Sequence, residues 1–541
     1  MVASPELDAL EREVVTHLFE LQPTYAVSLG LHDYDGRTPD LSRSATDRWS
    51  TAADRLLGRL DAVDPSGLPP ERQVDRVVLR LLLESPLFDL REAGTLERNP
   101  MAYLGVFSLT SYLARPYAPA GARVASMAKL LLAVPAVLEN GRRRLADPLP
   151  RVFVDLALAI GGQLPTHFGE ATAFAEREGL GPKVASAREV AEASLAQFLE
   201  WLRDDVGPRA TGAFALGPER FRRLLLVREG IDVPVQEIRD AGTDDLRRNQ
   251  ARLEALAAER GQTASQLYAS LGDDHPAPAD LLATARAYVE EVRQFVVAKE
   301  LATIPEPASC RVEETPPYSR ALTTASLNPP GPLEASSAEG VYYVTLVDPK
   351  WAPEQQEEWI RMMNRPILRN TTVHEVYPGH YLQFLHFRAG PVSLARKAYL
   401  SPSFIEGWAH YAEQVAIESG LDGGRPEAEA AQLFDALLRD CRLLAAIGLH
   451  TEGWAVEQAT ELFRKEAHLD PLPAEREALR GTYDPEYFCY TLGKLSILSA
   501  RRRFLASGFR GSLRRFHDAI LASGAPPVGL LDRLLELRVE A

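Results

Sequence analysis

A mainly helical protein carrying one small β-sheet is the fold class this sequence predicts, and three observations predict it. Apolar residues recur at spacings of three and four over most of the chain, Pro and Gly punctuate those stretches, and one region drops the helical period altogether. The segments "PELDALEREVVTHLFEL", "SATDRWSTAADRLLGRLDAV", "ERQVDRVVLRLLLESPLFDL" and "VASAREVAEASLAQFLEWLRDDV" each gather their apolar side chains on one helical face. The links "VDPSGLPPER" and "EREGLGPK" read as turns between helices. From about 305 to 350 the chain turns to Pro, Ser and Thr, and there Val341 to Val347, β-branched and aromatic, is a strand candidate. Helical periodicity then resumes to the end. The expected organisation is a helical N-terminal lobe over 1–304 and, over 305–541, a small sheet followed by a second helical lobe.

Composition narrows the function classes. Of 541 residues, 46% are hydrophobic and 25% charged, the balance of a soluble globular protein. A net charge of −15 argues against nucleic acid or an anionic membrane as partner. The longest apolar runs, "LLLAVPAVLENG" and "VFVDLALAIGG", are broken by Pro or Gly before reaching a bilayer-crossing length. The acidic N-terminal stretch lacks the basic-then-apolar layout of a signal peptide. Cys310, Cys441 and Cys489 are odd in number and far apart, which disfavours a disulfide framework or a thiolate zinc site. The expectation is a cytoplasmic protein with no nucleic-acid or membrane partner.

Four of the eleven histidines, His374, His380, His386 and His410, fall within 37 residues. His374 opens "HEVYPGH", where the second histidine comes six residues later instead of the four of an HExxH helix. On a straight helix, residues six apart point about 120° from each other and cannot share an ion. Pro378 clashes with the carbonyl four residues back, and Gly379 tolerates unusual backbone angles. Together they can loop out residues as a bulge does and return His380 to the face of His374.

A zinc site needs a third protein ligand and one open position. In "SPSFIEGWAHYAEQ", Glu406, His410 and Glu413 lie within about 60° on one helical face. Such a stripe is costly to bury without a cation. The stripe reads as a ligand with the residues that orient it by hydrogen bonds from behind. Taken singly, "HEVYPGH" also reads as a solvent loop and "EGWAHYAE" as an exposed helix with an acidic stripe. His386 reads as a packing or surface histidine, and His17, His32, His167, His275 and His468 have no evident partners.

"HEVYPGHYLQ", "FIEGWAHYAE" and "IGLHTEGWAVEQA", in this order, resemble the bacterial domain-of-unknown-function 885 family, as do "LQPTYAVSLGLHDYDGRTPDLS" and "FHDAILASGAPPVGLL" near the ends. The resemblance covers nearly the whole chain. It implies a relative of gluzincin zinc metallopeptidases, with a large multi-helical zincin-like fold around a central cleft and a small β-sheet near the active site. Carried over, the pattern makes His374, His380 and Glu406 the ligands of one zinc per chain and Glu375 the catalytic carboxylate. Ala446 stands where the family often has an acid, and Thr491 where a lysine is common.

The expected activity is metal-assisted hydrolysis of amide bonds in short peptides or peptide-like substrates, with Glu375 as base and His450 and Tyr490 as candidate donors to the oxyanion. "GVYYVTL" is a candidate edge strand for an extended substrate, and Lys494 and Arg480 are candidate partners for a substrate carboxylate. Two alternatives stand beside it. One is a metal-binding protein that keeps the fold without catalysis; the other is a di-metal oxidase, which requires Glu-x-x-His pairs on two helices.

Overall fold

Helices follow the apolar period closely: Pro5–Leu21, for instance, buries Leu7, Leu10, Val14 and Leu18 along one stripe. The computed structural model describes residues 5–317, 319–320, 323–336, 338–506 and 512–539. It is mainly helical, with one three-stranded sheet. Two units divide the chain, one formed by Met1–Phe214 with Gly331–Ser337, the other by Ala215–Pro330 with Ala338–Ala541. The division thus falls after Phe214 and not after residue 304. Val235–Glu259 packs on Pro426–Thr451 and Leu281–Ala298 packs on Arg365–Glu375, so both belong with the second unit. Amphipathic helices look alike in either unit, and only long-range packing distinguishes them.

In the first unit the longest helix, Ala120–Arg144, packs on Pro182–Trp201 and runs through Pro135. "LLLAVPAVLENG" is therefore not cut short by its proline. This helix is long and apolar enough in composition to cross a membrane, but half of its apolar stretch is buried inside the unit. Two of its arginines point inward as well: Arg123 donates to the Tyr112 carbonyl at 2.8 Å and Arg144 to the Leu41 carbonyl at 2.9 Å. These are the marks of an interior helix.

The short segment Gly331–Ser336 docks against "SLGLHDYDG". Gly30, at φ +102°, could not carry a side chain, because a Cβ there would lie 2.4 Å from the Glu334 backbone. The Leu333 N–H donates to the Leu29 carbonyl at 2.9 Å. His32 lies between Asp35 at 3.2 Å and Glu334 at 2.9 Å, and Tyr117 donates to Asp35 at 2.6 Å.

The sheet belongs to the second unit and consists of β1 (Cys310–Glu314), β2 (Ala325–Asn328) and β3 (Gly340–Val344), in the order β1-β3-β2. β3 runs parallel to β1 and antiparallel to β2, and all five of its residues are buried. The candidate edge strand is thus the central one, paired on both sides, and the open edges are those of β1 and β2. Two side chains tie the sheet to the helices that follow. Tyr342 meets the Thr372 hydroxyl at 3.3 Å, and the Tyr381 hydroxyl donates to the Ser309 carbonyl at 2.7 Å.

Candidate metal centre

Asn364 caps the helix Arg365–Glu375, its side chain accepting from the Ile367 N–H at 3.0 Å. The helix ends at Glu375, and a new one, His380–Ala389, starts four residues on. The insertion is therefore a break between two helices, not a bulge within one. His374 occupies the last turn of the first and His380 the first turn of the second. Their rings approach to 4.7 Å between centroids, with planes at 83°.

The turn between them is closed by a hydrogen bond from the Gly379 N–H to the Val373 carbonyl at 3.0 Å. Gly379 has an ordinary φ of −72°. Its lack of a side chain matters through contact, since a Cβ there would lie 1.9 Å from the His374 carbonyl oxygen. The indole N–H of Trp408 donates to the Pro378 carbonyl at 2.9 Å and pins the turn to the next helix.

That helix, Pro402–Glu418, starts from Ser401, whose hydroxyl accepts from the Phe404 N–H at 3.0 Å and donates to the buried Glu229 carboxylate at 2.5 Å. It packs backbone to backbone on Cys489–Ala506: a Cβ on Gly493 would lie 1.7 Å from the Ser403 carbonyl, and one on Gly407 only 2.4 Å from Gly493. The glycine of "EGW" is there for this close approach, which fixes the height of its neighbour Glu406.

Glu406 Oε2 stands 3.4 Å from His374 Nε2 and 3.5 Å from His380 Nε2. The three donor atoms lie within 4.8 Å of one another, and among the described residues they form the one group of this kind able to hold a metal ion. The spacing is informative. A charge-assisted hydrogen bond closes to about 2.7–2.9 Å, whereas two ligands about 2.0–2.1 Å from a tetrahedral ion stand about 3.3 Å apart. Two imidazoles and a carboxylate are a donor set that suits zinc, and the two carboxylate–imidazole separations match co-ligand spacing.

Behind His374 lies Glu413, fully buried, with Oε1 2.6 Å from His374 Nδ1 and Oε2 3.3 Å from His410 Nδ1. Arg439 approaches both Glu413 oxygens, each at 3.0 Å. Burial pushes the Glu413 carboxyl up, but Arg439 and the two imidazoles hold it well below the usual range. Glu406 is likewise pushed up by burial and held well below by His374 and His380. Burial presses the His374 imidazole down, yet the carboxylates of Glu406 and Glu413 beside it raise it to about 9. His410 goes the other way: burial, and then Lys494, bring it to about 3, so it is neutral and backs Glu413, not the ion. At Glu375 burial outweighs the pull of the histidines and of the Leu327 backbone on β2, and the carboxyl is raised.

The structure thus brings together His374, His380, Glu406, Glu375 and Glu413, with His410 one step further back. Tyr490 borders the group through its ring, with the guanidinium carbons of Arg439 and Arg442 at 5.6 Å and 4.9 Å from the centroid. His450 does not fill the donor role expected of it. Its Nε2 faces the Gly481 carbonyl at 2.8 Å and its Nδ1 the Leu216 N–H at 3.3 Å, so both nitrogens are spent on backbone. Lys494 is also unsuited to a substrate carboxylate, being buried and paired to Asp245 at 2.5 Å. Arg480 is partly exposed beside Asp484. Thr491 donates to the buried Asp440 at 2.8 Å, and Ala446 is core. His386 meets the Thr303 carbonyl at 2.7 Å. Sequence reasoning assigned no role to Trp408, though it stands in the quoted "EGW". It missed Arg439 entirely: 26 residues beyond Glu413, no local pattern marks it.

The chain belongs to the family described as bacterial protein of unknown function (DUF885), whose model matches residues 23–535. Two solved structures share the fold over its full extent. One is of a "putative lipoprotein of unknown function" from Shewanella oneidensis, at TM-score 0.81 and 21% identity, covering 99% of this chain and 100% of the other. The second is of a "putative lipoprotein" from Colwellia psychrerythraea, at TM-score 0.82 and 17% identity, covering 99% of each chain. No curated protein matches the sequence. Because both structural relatives are described as lipoproteins, the cytoplasmic assignment read from the N-terminus is overturned.

Proposed function

We propose that this family member is a zinc-dependent peptidase of gluzincin type, cleaving amide bonds in short peptides or peptide-like molecules. One observation carries the reading: two imidazole nitrogens and a carboxylate oxygen converge at co-ligand spacing beside a further, half-buried carboxylate, Glu375, that takes no part in the triad. His374, His380 and Glu406 would hold the ion. When bound, zinc polarises a carbonyl oxygen and lowers the pKa of a water molecule towards neutrality.

Glu375 is the proton carrier. Its raised carboxyl suits a group that accepts a proton from water and returns it to the departing nitrogen. The Leu327 backbone on β2 draws the Glu375 carboxyl down, so β2 lies near this carboxylate, and its open edge suits an extended substrate. Tyr490 is the donor proposed for the charge developing on the carbonyl oxygen. No observation favours the di-metal oxidase: His410 is turned to Glu413, and no second ligand group occurs among the described residues.

The test is cleavage of a mixed peptide library by the zinc-loaded protein, read by mass spectrometry, against the Glu375→Gln variant. Defined cuts that vanish in the variant while zinc is retained are expected. Equal cutting by both proteins would remove Glu375 from the reaction, and zinc binding with no cutting by either would favour a metal-binding protein without catalysis.

A further inference from the structure

We propose that Arg439, acting through Glu413, is a positioning residue that fixes which nitrogen of His374 faces the metal. The inference rests on the metal-site part of the reading above and is independent of peptide hydrolysis. Arg439 comes from the helix Pro426–Thr451, and its side chain is 11% exposed. Its two terminal nitrogens meet the two Glu413 oxygens, Nη1 to Oε2 and Nη2 to Oε1, each at 3.0 Å. A planar fork on a planar carboxylate fixes the orientation of both groups, which a single-point ammonium cannot do.

The consequence passes to His374. Its Nδ1 has two close neighbours, Glu413 Oε1 at 2.6 Å and Arg439 Nη2 at 3.3 Å. A ring nitrogen donates or accepts but not both. The shorter contact is to a carboxylate, which only accepts, so the Nδ1 proton points to Glu413. Nε2, facing Glu406 and His380, is then the nitrogen that gives up its proton when an ion binds and offers the lone pair a ligand requires. With the fork in place, Glu413 cannot swing off Nδ1 toward His410, whose Nδ1 lies 3.3 Å from the other oxygen.

His380 provides the contrast. Among the described residues its buried Nδ1 meets no hydrogen-bond partner, and none of them orients that ring as Glu413 does His374. The leverage of Arg439 on the metal therefore runs through one ligand. Arg439 also faces the Asp435 carboxylate and the Arg442 guanidinium, and its own guanidinium lies 5.6 Å from the centre of the Tyr490 ring.

The experiment is zinc affinity of the full-length chain, measured by competition with a chromogenic chelator, together with thermal midpoints of the zinc-stripped proteins. Glu413→Gln is expected to weaken zinc binding by about 10–100-fold and Arg439→Lys by about tenfold, typical of residues that orient a ligand from behind. The double variant should bind no worse than Glu413→Gln alone, because Arg439 has nothing left to act through. His32→Gln, in the first unit and outside the candidate site, should bind zinc as the wild type does. If Arg439→Lys fails to fold, Arg439→Gln takes its place under the same criterion. Zinc affinity unchanged in the Arg439 variant, or losses that multiply in the double variant, would overturn the proposal. So would a wild type that binds no zinc, which defeats the metal reading as well. A wild type that binds zinc and cuts no peptide defeats only the peptidase reading.

Discussion

His32 in the first unit and His374 in the second are built from the same parts and differ in how those parts close around the ring. Each is a largely buried imidazole between two carboxylates, pressed down by burial and raised by its partners to about 9. At His32 both contacts are at ordinary hydrogen-bond length, Nδ1 to Asp35 at 3.2 Å and Nε2 to Glu334 at 2.9 Å. Both nitrogens donate, the charge is matched on both sides, and no lone pair is left over. At His374 only the Glu413 side is closed, at 2.6 Å. On the other side Glu406 stands off at 3.4 Å, and a second imidazole, His380, approaches the same oxygen at 3.5 Å. A raised histidine is thus no mark of chemistry by itself. Donors from separate helices that converge without closing are.

The sharpest way to break the comparison is to remove each imidazole in turn. His374→Ala should take zinc from one per chain to near none by elemental analysis, while His32→Ala keeps it. Loss of zinc from both would make them one kind of site. Next in size, Glu375→Gln should retain zinc and lower kcat by about 10²–10⁴-fold, the usual share of a proton-transfer group; a loss below tenfold would move the base elsewhere.

His32→Gln should cost stability instead, about 1–3 kcal/mol in urea unfolding, the range for hydrogen bonds to charged groups. That cost depends on pH. Because folding raises His32 from 6.5 to about 9, its contribution is complete below pH 6.5 and is lost as pH rises through 9. Glu334 is pushed up by burial but held down to about 2 by His32 and Ser336, so its contribution is complete above pH 4.5 and fades toward pH 2. The difference between wild type and variant should be greatest between pH 4.5 and 6.5 and shrink by pH 10. A pH-independent difference would mean the segment is held by packing alone. Smallest of all, Trp408→Phe should lose one hydrogen bond to the 376–379 turn, about 1 kcal/mol, with a modest fall in zinc affinity.

The two sites also differ in how far they were legible. Around His374 the informative residues are close in sequence: Pro378 and Gly379 explain the stretched spacing, and Glu406, His410 and Glu413 share a helical stripe whose period can be counted. At His32 the partner is Glu334, 302 residues away, in a stretch with no periodic signal. Arg439 escaped for a similar reason, since a lone arginine on a mostly buried helix looks like any surface charge until the neighbouring helix is in place. β1 and β2, five and four residues long, are too short for alternation to stand out among Pro, Ser and Thr. His450 misled because its motif is distinctive, while the use of its nitrogens depends on Leu216 and Gly481 from elsewhere in the chain. What was readable was local pattern; what was not was the identity of neighbours across the fold.

The most direct measurement is the zinc-edge X-ray absorption spectrum of the loaded protein. Two imidazole nitrogens and light oxygen donors at about 2.0–2.1 Å, four-coordinate, are predicted for His374, His380, Glu406 and one further oxygen. A single imidazole, a sulfur shell at about 2.3 Å, or zinc bound at well below one per chain would contradict the account.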